Sequence, residues 1–165
     1  MPTAATTTRS TATVTFTATL GTVTVRACRS ADLRATEQQG DAGVGNRSTV
    51  YVLTNTAQDP CRLYGYPGMA FLDAAGATLR DTVARGSAYL FTDPGPAAVV
   101  LQPAESASFS LGWSVANGAA CATSATVEIT PPNDTAHVTI PSQVVVCPGR
   151  PLTVSAVVAG AHGAA

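Results

Sequence analysis

The sequence predicts an all-β domain, an immunoglobulin-like antiparallel β-sandwich held by two disulfides. Three observations predict it. Short runs of alternating apolar and polar residues recur along the chain with turn residues between them. No extended stretch carries a helical period. Four cysteines, Cys28, Cys61, Cys121 and Cys147, lie far apart in a chain of 165 residues, a length that suits one domain and a short tail.

Residues 1–10 are rich in Thr and Ala and read as a flexible linker. From residue 11 the pattern sharpens: Val14, Phe16, Ala18 and Leu20 alternate with Thr13, Thr15, Thr17 and Thr19. That period of two marks a half-buried strand, and Gly21 breaks its register before Val23 and Val25. Residues 11–26 are therefore a candidate extra strand of a domain spanning 11–158. Further strands are expected at 32–36, 48–55, 61–64, 69–73, 97–101, 106–114, 125–130, 137–140 and 152–158. Phe109, Leu111 and Trp113 share one face, as do Val127 and Ile129, and Leu152, Val154, Ala156 and Val158 share another. Turn residues separate the runs, among them Asp59-Pro60, Asp93 to Pro96, Pro131 to Asp134 and Pro148 to Pro151. Pro67-Gly68 fits the two central positions of a type II turn. Residues 82–96 and 115–125 read as long loops, and 159–165 as a disordered Ala/Gly tail.

Charged residues make up only 12 % of the chain, about half of the usual ~25 %. All nine basic residues are Arg, and the net charge is −1. The arginines are dispersed, so there is no basic stripe for nucleic acid and no polybasic cluster for an anionic membrane. No apolar run approaches the ~18 residues of a transmembrane helix. A charged start followed by an apolar stretch is also missing, so a signal or lipid anchor is not visible in this sequence.

No two cysteines stand at zinc-ligand or C-x-x-C spacing. An even number of widely separated cysteines in a β-rich chain reads as two structural disulfides formed in an oxidising compartment. Three pairings are open to four cysteines. The sequential one, Cys28 with Cys61 and Cys121 with Cys147, is preferred.

Catalytic constellations are sparse. A Ser–His–acid hydrolase needs a base, and the chain has only His137 and His162. His137, with Asp134 to orient it, is the sole arrangement to consider. It lies on the polar side of an expected strand, and no Gly-x-Ser-x-Gly elbow accompanies it. The Asp residues sit in turns, where side-chain hydrogen bonds to the backbone account for them. No enzyme activity, cofactor or metal site is expected. The most interesting set is Tyr64, Tyr66, Pro67 and Met69, an aromatic turn that follows a cysteine. Tyrosine offers contact area at low entropic cost, which makes the set a possible interaction surface. A structural corner, with one Tyr hydroxyl bonded to the backbone, is the favoured alternative.

Several of these segments together resemble a known family. They are Cys28 with Ala31-Asp32-Leu33, Gly43 to Arg47 leading into Val52 to Thr56, and Cys61-Arg62-Leu63-Tyr64-Gly65-Tyr66-Pro67-Gly68. Phe71-Leu72-Asp73, Leu101 to Ala104, Trp113, Cys121, Pro131-Pro132 and Val146-Cys147-Pro148 complete the pattern. The chain from about Cys28 to Val158 resembles the DUF4232 family of actinobacterial exported proteins and lipoproteins. The resemblance implies a secreted β-sandwich with the sequential cysteine pairing. It carries over no catalytic residue, because the family's function is unknown. The expectation is a monomeric, exported, extracellular or envelope-associated binding or structural module. Its partner would be an envelope protein or a wall polymer. Alternatives are a secreted protease inhibitor presenting the 84–96 loop, and a hydrolase using His137.

Overall fold

The computed structural model describes residues 24–80, 82–115 and 120–165. The 1–10 linker and most of the candidate strand at 11–26 lie outside the described residues. Among the described residues a single turn of 3-10 helix, Ser30–Asp32, precedes fifteen strands. In chain order these are β1 (Leu33–Gln38), β2 (Ala42–Gly43), β3 (Asn46–Asn55), β4 (Cys61–Tyr64) and β5 (Gly68–Leu72). Next come β6 (Thr78–Leu79), β7 (Val83–Arg85), β8 (Ala98–Leu101), β9 (Ser106–Ser114) and β10 (Ala122–Thr123). The last are β11 (Thr126–Thr130), β12 (Val138–Pro141), β13 (Val145–Val146), β14 (Leu152–Val154) and β15 (Val158–Ala159).

The larger sheet runs β1-β3-β9-β14-β7, with β2 added to β3 and β15 to β9. A second sheet runs β12-β11-β5-β6, and the pairs β4–β8 and β10–β13 complete the set. All pairs are antiparallel except β14 with β7. This all-β architecture fits a β-sandwich. Tyr51, Phe109 and Leu111 of the larger sheet join Phe71, Val127 and Ile129 of the second in one buried cluster. The Tyr51 and Phe109 rings are register partners whose centroids lie 5.4 Å apart. The Tyr51 hydroxyl shares a hydrogen bond of 2.7 Å with the Ser142 hydroxyl, so the buried phenol has a partner.

Both disulfides have the sequential pairing: Cys28–Cys61 ties the entering chain to β4, and Cys121–Cys147 ties the start of β10 to the end of β13. Each closes a loop of a few tens of residues and stabilises by about 2–4 kcal/mol on the loop-entropy account.

Where the sequence and the fold differ, the reasons are local. The strands β2, β6, β7, β10 and β13 have only two or three residues each, too few for a period of two to register. Two of them, β7 and β10, fall in the expected long loops at 82–96 and 115–125. The expected strand at 152–158 is divided. From Val154 to Val158 the chain advances four residues while its partners on β9, Leu111 and Ser108, are three apart. One extra residue is a β-bulge, and it reverses the faces: Val157, not Val158, joins the core cluster.

The 159–165 tail is not disordered. Ser108 and Ser110 point away from the core cluster, yet both are buried, because the tail lies across them. The Gly163 amide donates to Ser108 Oγ at 2.9 Å and the Ala164 amide to Ser110 Oγ at 3.0 Å. Gly163 is in the left-handed region at φ +71°, and an added Cβ would stand 2.8 Å from Val50 Cγ2, so only glycine fits. The β9 strand is thus covered on both faces. Replacing Phe109 with Ala should cost about 3–5 kcal/mol and lower the melting temperature by at least ~6 °C, measured by calorimetry on the oxidised protein.

Candidate functional site

The Tyr64–Tyr66 turn is built from the bulge between β14 and β15. A bulge releases main-chain amides from the ladder, and those of Ala156 and Val157 turn elsewhere. Val157 N–H donates to the Gly65 carbonyl at 2.9 Å, which anchors the aromatic turn from below. Ala156 N–H donates to Asp93 Oδ1 at 2.9 Å, and the other oxygen, Oδ2, accepts the Tyr66 hydroxyl at 2.6 Å. Asp93 therefore joins three segments: the aromatic turn, the connection from β7 to β8, and the bulge. The Tyr66 bond runs to a carboxylate, so a Tyr hydroxyl bonded to the backbone is not what holds this corner.

The electrostatics follow from the geometry. Burial alone would raise the Asp93 carboxyl, but the Tyr66 hydroxyl and the Ala156 and Gly95 amides outweigh it and hold it below the usual carboxylate range. The same bond raises the Tyr66 hydroxyl, because an ionised phenol beside a carboxylate loses its donor and meets a like charge. The Arg85 guanidinium sits over the Tyr66 ring, 5.5 Å from its centroid. None of the ion pairs among the described residues includes Arg85.

Of the four residues singled out in the sequence, the structure divides two from two. Tyr64 is 48 % exposed and Tyr66 half-buried, and both line an open cleft of about 370 Å³. Pro67 is buried, and Met69 packs against the core from β5. Arg85, Pro96, Pro132 and Asn133 form the rest of the cleft with Gly65. In the sequence Pro96, Pro132 and Asn133 read as turn residues, and Arg85 is one more residue of the 84–96 loop. Asp93 likewise reads as part of a turn, and no local signal links it to Tyr66, which is 27 positions away.

The alternative centres are placed differently. His137 lies 3.3 Å from Glu128 across the β11–β12 pair, and its side chain is 44 % exposed. Asp134, its expected orienter, instead accepts the amides of Ser30, Thr135 and Ala136, which hold its carboxyl below the usual range. No hydroxyl among the described residues hydrogen-bonds to His137. The 84–96 loop is pinned: Ala88 and Phe91 bridge to each other, Phe91 is buried, and the Thr92 amide donates to the Ala165 carbonyl. Tyr89, 69 % exposed, is the large side chain this loop offers to solvent.

The family model for a domain of unknown function, DUF4232, matches residues 28–158. No curated protein and no solved structure matches the chain.

Asp93 carries a testable sign. Its folded carboxyl titrates below the unfolded value, so its contribution is present above about pH 4 and fades as the pH falls through the folded value. Asp93→Asn should lower the melting temperature by a few degrees at pH 7, about 1 kcal/mol given the partial exposure. Melts repeated at pH 3 should bring the two proteins closer together.

Proposed function

The chain belongs to the DUF4232 family, which has no known function, and from its own geometry we propose that it is a non-catalytic binding module acting outside the cytoplasm. The cleft carries the reading. Tyr64 and Tyr66 present aromatic surface held by a bulge and a carboxylate, so little ordering entropy is lost when a partner docks. Arg85 beside them has a stacked guanidinium that is in no ion pair among the described residues. Tyr and Arg are the residue types that dominate protein-binding hot spots. The partner is an envelope protein that lays an apolar or carboxylate-bearing segment into the cleft. Two disulfides in a chain of this size support a working place that is oxidising, at the cell envelope or beyond it.

Retention on envelope extract tests this. The immobilised, oxidised wild-type chain should retain a discrete protein, and Tyr64→Ala and Arg85→Ala should each lower retention by about tenfold, near the 1.4 kcal/mol scale of one hot-spot contact. Both variants should keep the wild-type melting temperature within about 2 °C, since Tyr64 and Arg85 lie outside the core cluster. Equal retention by all three proteins, or retention by protein-free wall polymer alone, would remove the reading.

A further inference from the structure

The free side-chain hydrogen-bonding groups of the Tyr64–Tyr66 cleft are weighted towards donors. Among the described residues the Tyr64 hydroxyl, the Asn133 amide and the Arg85 guanidinium take part in no hydrogen bond. The guanidinium only donates, while Tyr64 and Asn133 can donate or accept. Two carboxylates adjoin the lining residues, and both are already engaged. Asp93 accepts the Tyr66 hydroxyl and the Ala156 amide. Asp134, next to Asn133 in the chain, accepts the amides of Ser30, Thr135 and Ala136. A ligand that fits this cleft brings acceptors and few donors.

Between those donors the lining is made of rings, and its frame is stiff. Tyr64 and Tyr66 flank Gly65, which has φ +105° and where an added Cβ would meet nothing within 4 Å, so the floor between the two tyrosines is open. Pro96 and Pro132 add two more ring faces. Gly65 is tied to Val157 and Tyr66 to Asp93, and Asn133 sits in a turn closed by the Asp134 amide on the Pro131 carbonyl at 3.1 Å. The cleft, about 370 Å³, has room for a short piece of chain, and one turn of polyproline II is about 9 Å long.

A proline-rich chain is the complement of such a surface. Each proline lacks an N–H yet keeps its carbonyl, and polyproline II spends no carbonyl on internal bonds. Its rings pack on aromatic walls, and its fixed φ leaves little entropy to lose on docking. A sugar or an added β-strand brings donors together with its acceptors, and no free carboxylate lines the cleft to receive them. Arg85 sets the charge. Its guanidinium lies 5.5 Å from the Tyr66 ring centroid and is in no ion pair among the described residues, so its complement is an acidic side chain at the Tyr66 end.

We propose that the cleft takes a proline-rich segment in the polyproline II conformation, with an acidic residue beside the prolines. Proline rings lie on Tyr64 and Tyr66, the Tyr64 hydroxyl and the Asn133 amide donate to carbonyls of the segment, and Arg85 meets the acidic side chain. The inference rests on the reading of this cleft as a binding site and names the chemistry of its occupant.

Titration of the oxidised, isotopically labelled full chain with end-blocked peptides, followed by NMR, tests it. One peptide carries a glutamate before a run of prolines, a second carries it after the run, and in the controls alanine replaces every proline. At least one proline peptide should shift the amides of Gly65, Tyr66, Arg85 and Asn133 and bind at least ~10-fold more tightly than its alanine control. Tyr64→Phe, which keeps the ring and loses the donor, should weaken that binding by about 5-fold, and Arg85→Ala by about 10-fold, with circular dichroism unchanged. Equal binding by the alanine control, no binding of either proline peptide, shifts elsewhere on the protein, or undiminished affinity in both variants would overturn the proposal. If the proline peptides fail while envelope extract still retains the chain through Tyr64, the binding module stands and its proline-rich partner falls. If both fail, the two readings fall together.

Discussion

The pairing of β3 with β9 is the constraint on which the other parts of the molecule depend. Nine consecutive residue pairs, from Asn46↔Ser114 to Thr54↔Ser106, fix one register between two long strands. After a slip of one residue Tyr51 and Phe109 could no longer both face the core, so the hydrophobic pattern allows no alternative. What distinguishes β9 is that it is covered on both faces. On the core side stand Phe109 and Leu111, while on the other Ser108 and Ser110 bond to the tail amides and Ser110 N–H donates to Ser155 Oγ. Gly112 permits the same closeness further along, since a Cβ there would meet Ala88 at 2.7 Å. The connection from β7 to β8 lies against β9 for that reason. The bulge between β14 and β15 is set against β9 too, and its released amides hold Gly65 and Asp93. The aromatic cleft is thus linked to the central ladder through one irregularity.

The sequence made the long elements legible and hid the short ones. Strands β4 and β9 end where alternation and flanking turns place them, because apolar periodicity is strong when one face is buried. The Ala/Gly tail reads as loose chain in the sequence, and that expectation fails for a physical reason: small residues in a tail, set against small serines on the outer face of β9, are what two backbones need to pack closely. The division of 152–158 shows in the sequence only as Val157 beside Val158, two apolar residues where alternation calls for one. That pair does not place a bulge by itself, because the extra residue is defined by its partners on β9. The site was half legible. Tyr64 and Tyr66 stood out by composition and adjacency, whereas Arg85, Pro96 and Pro132 reach the cleft from three distant segments.

Electrostatics plays a small part in this fold. The ion pairs among the described residues are Arg26 with Asp32, Arg29 with Asp134 and His137 with Glu128, each with at least one exposed member. Exposed pairs contribute little, about 0–1 kcal/mol. Acidic side chains serve mainly as acceptors for main-chain amides: Asp32 for Arg29, Asp73 for Ala75 and Ala77, Asp134 for Ser30. Asp93 belongs to that pattern and adds a tyrosine to it. A chain so poor in charge relies on apolar burial and on two covalent links.

Native-state hydrogen exchange, read residue by residue on the oxidised protein, tests the dependence on the central ladder most directly. The account predicts that amides of β3 and β9 around Tyr51, Leu53, Phe109 and Leu111 exchange last, with the opening energy of global unfolding. It also predicts that Ala156 and Val157, off the ladder but tied to the cleft, open at lower energy. If the slowest amides lay instead in β5 and β11, with β9 opening first, the second sheet would be the foundation and the account would be contradicted.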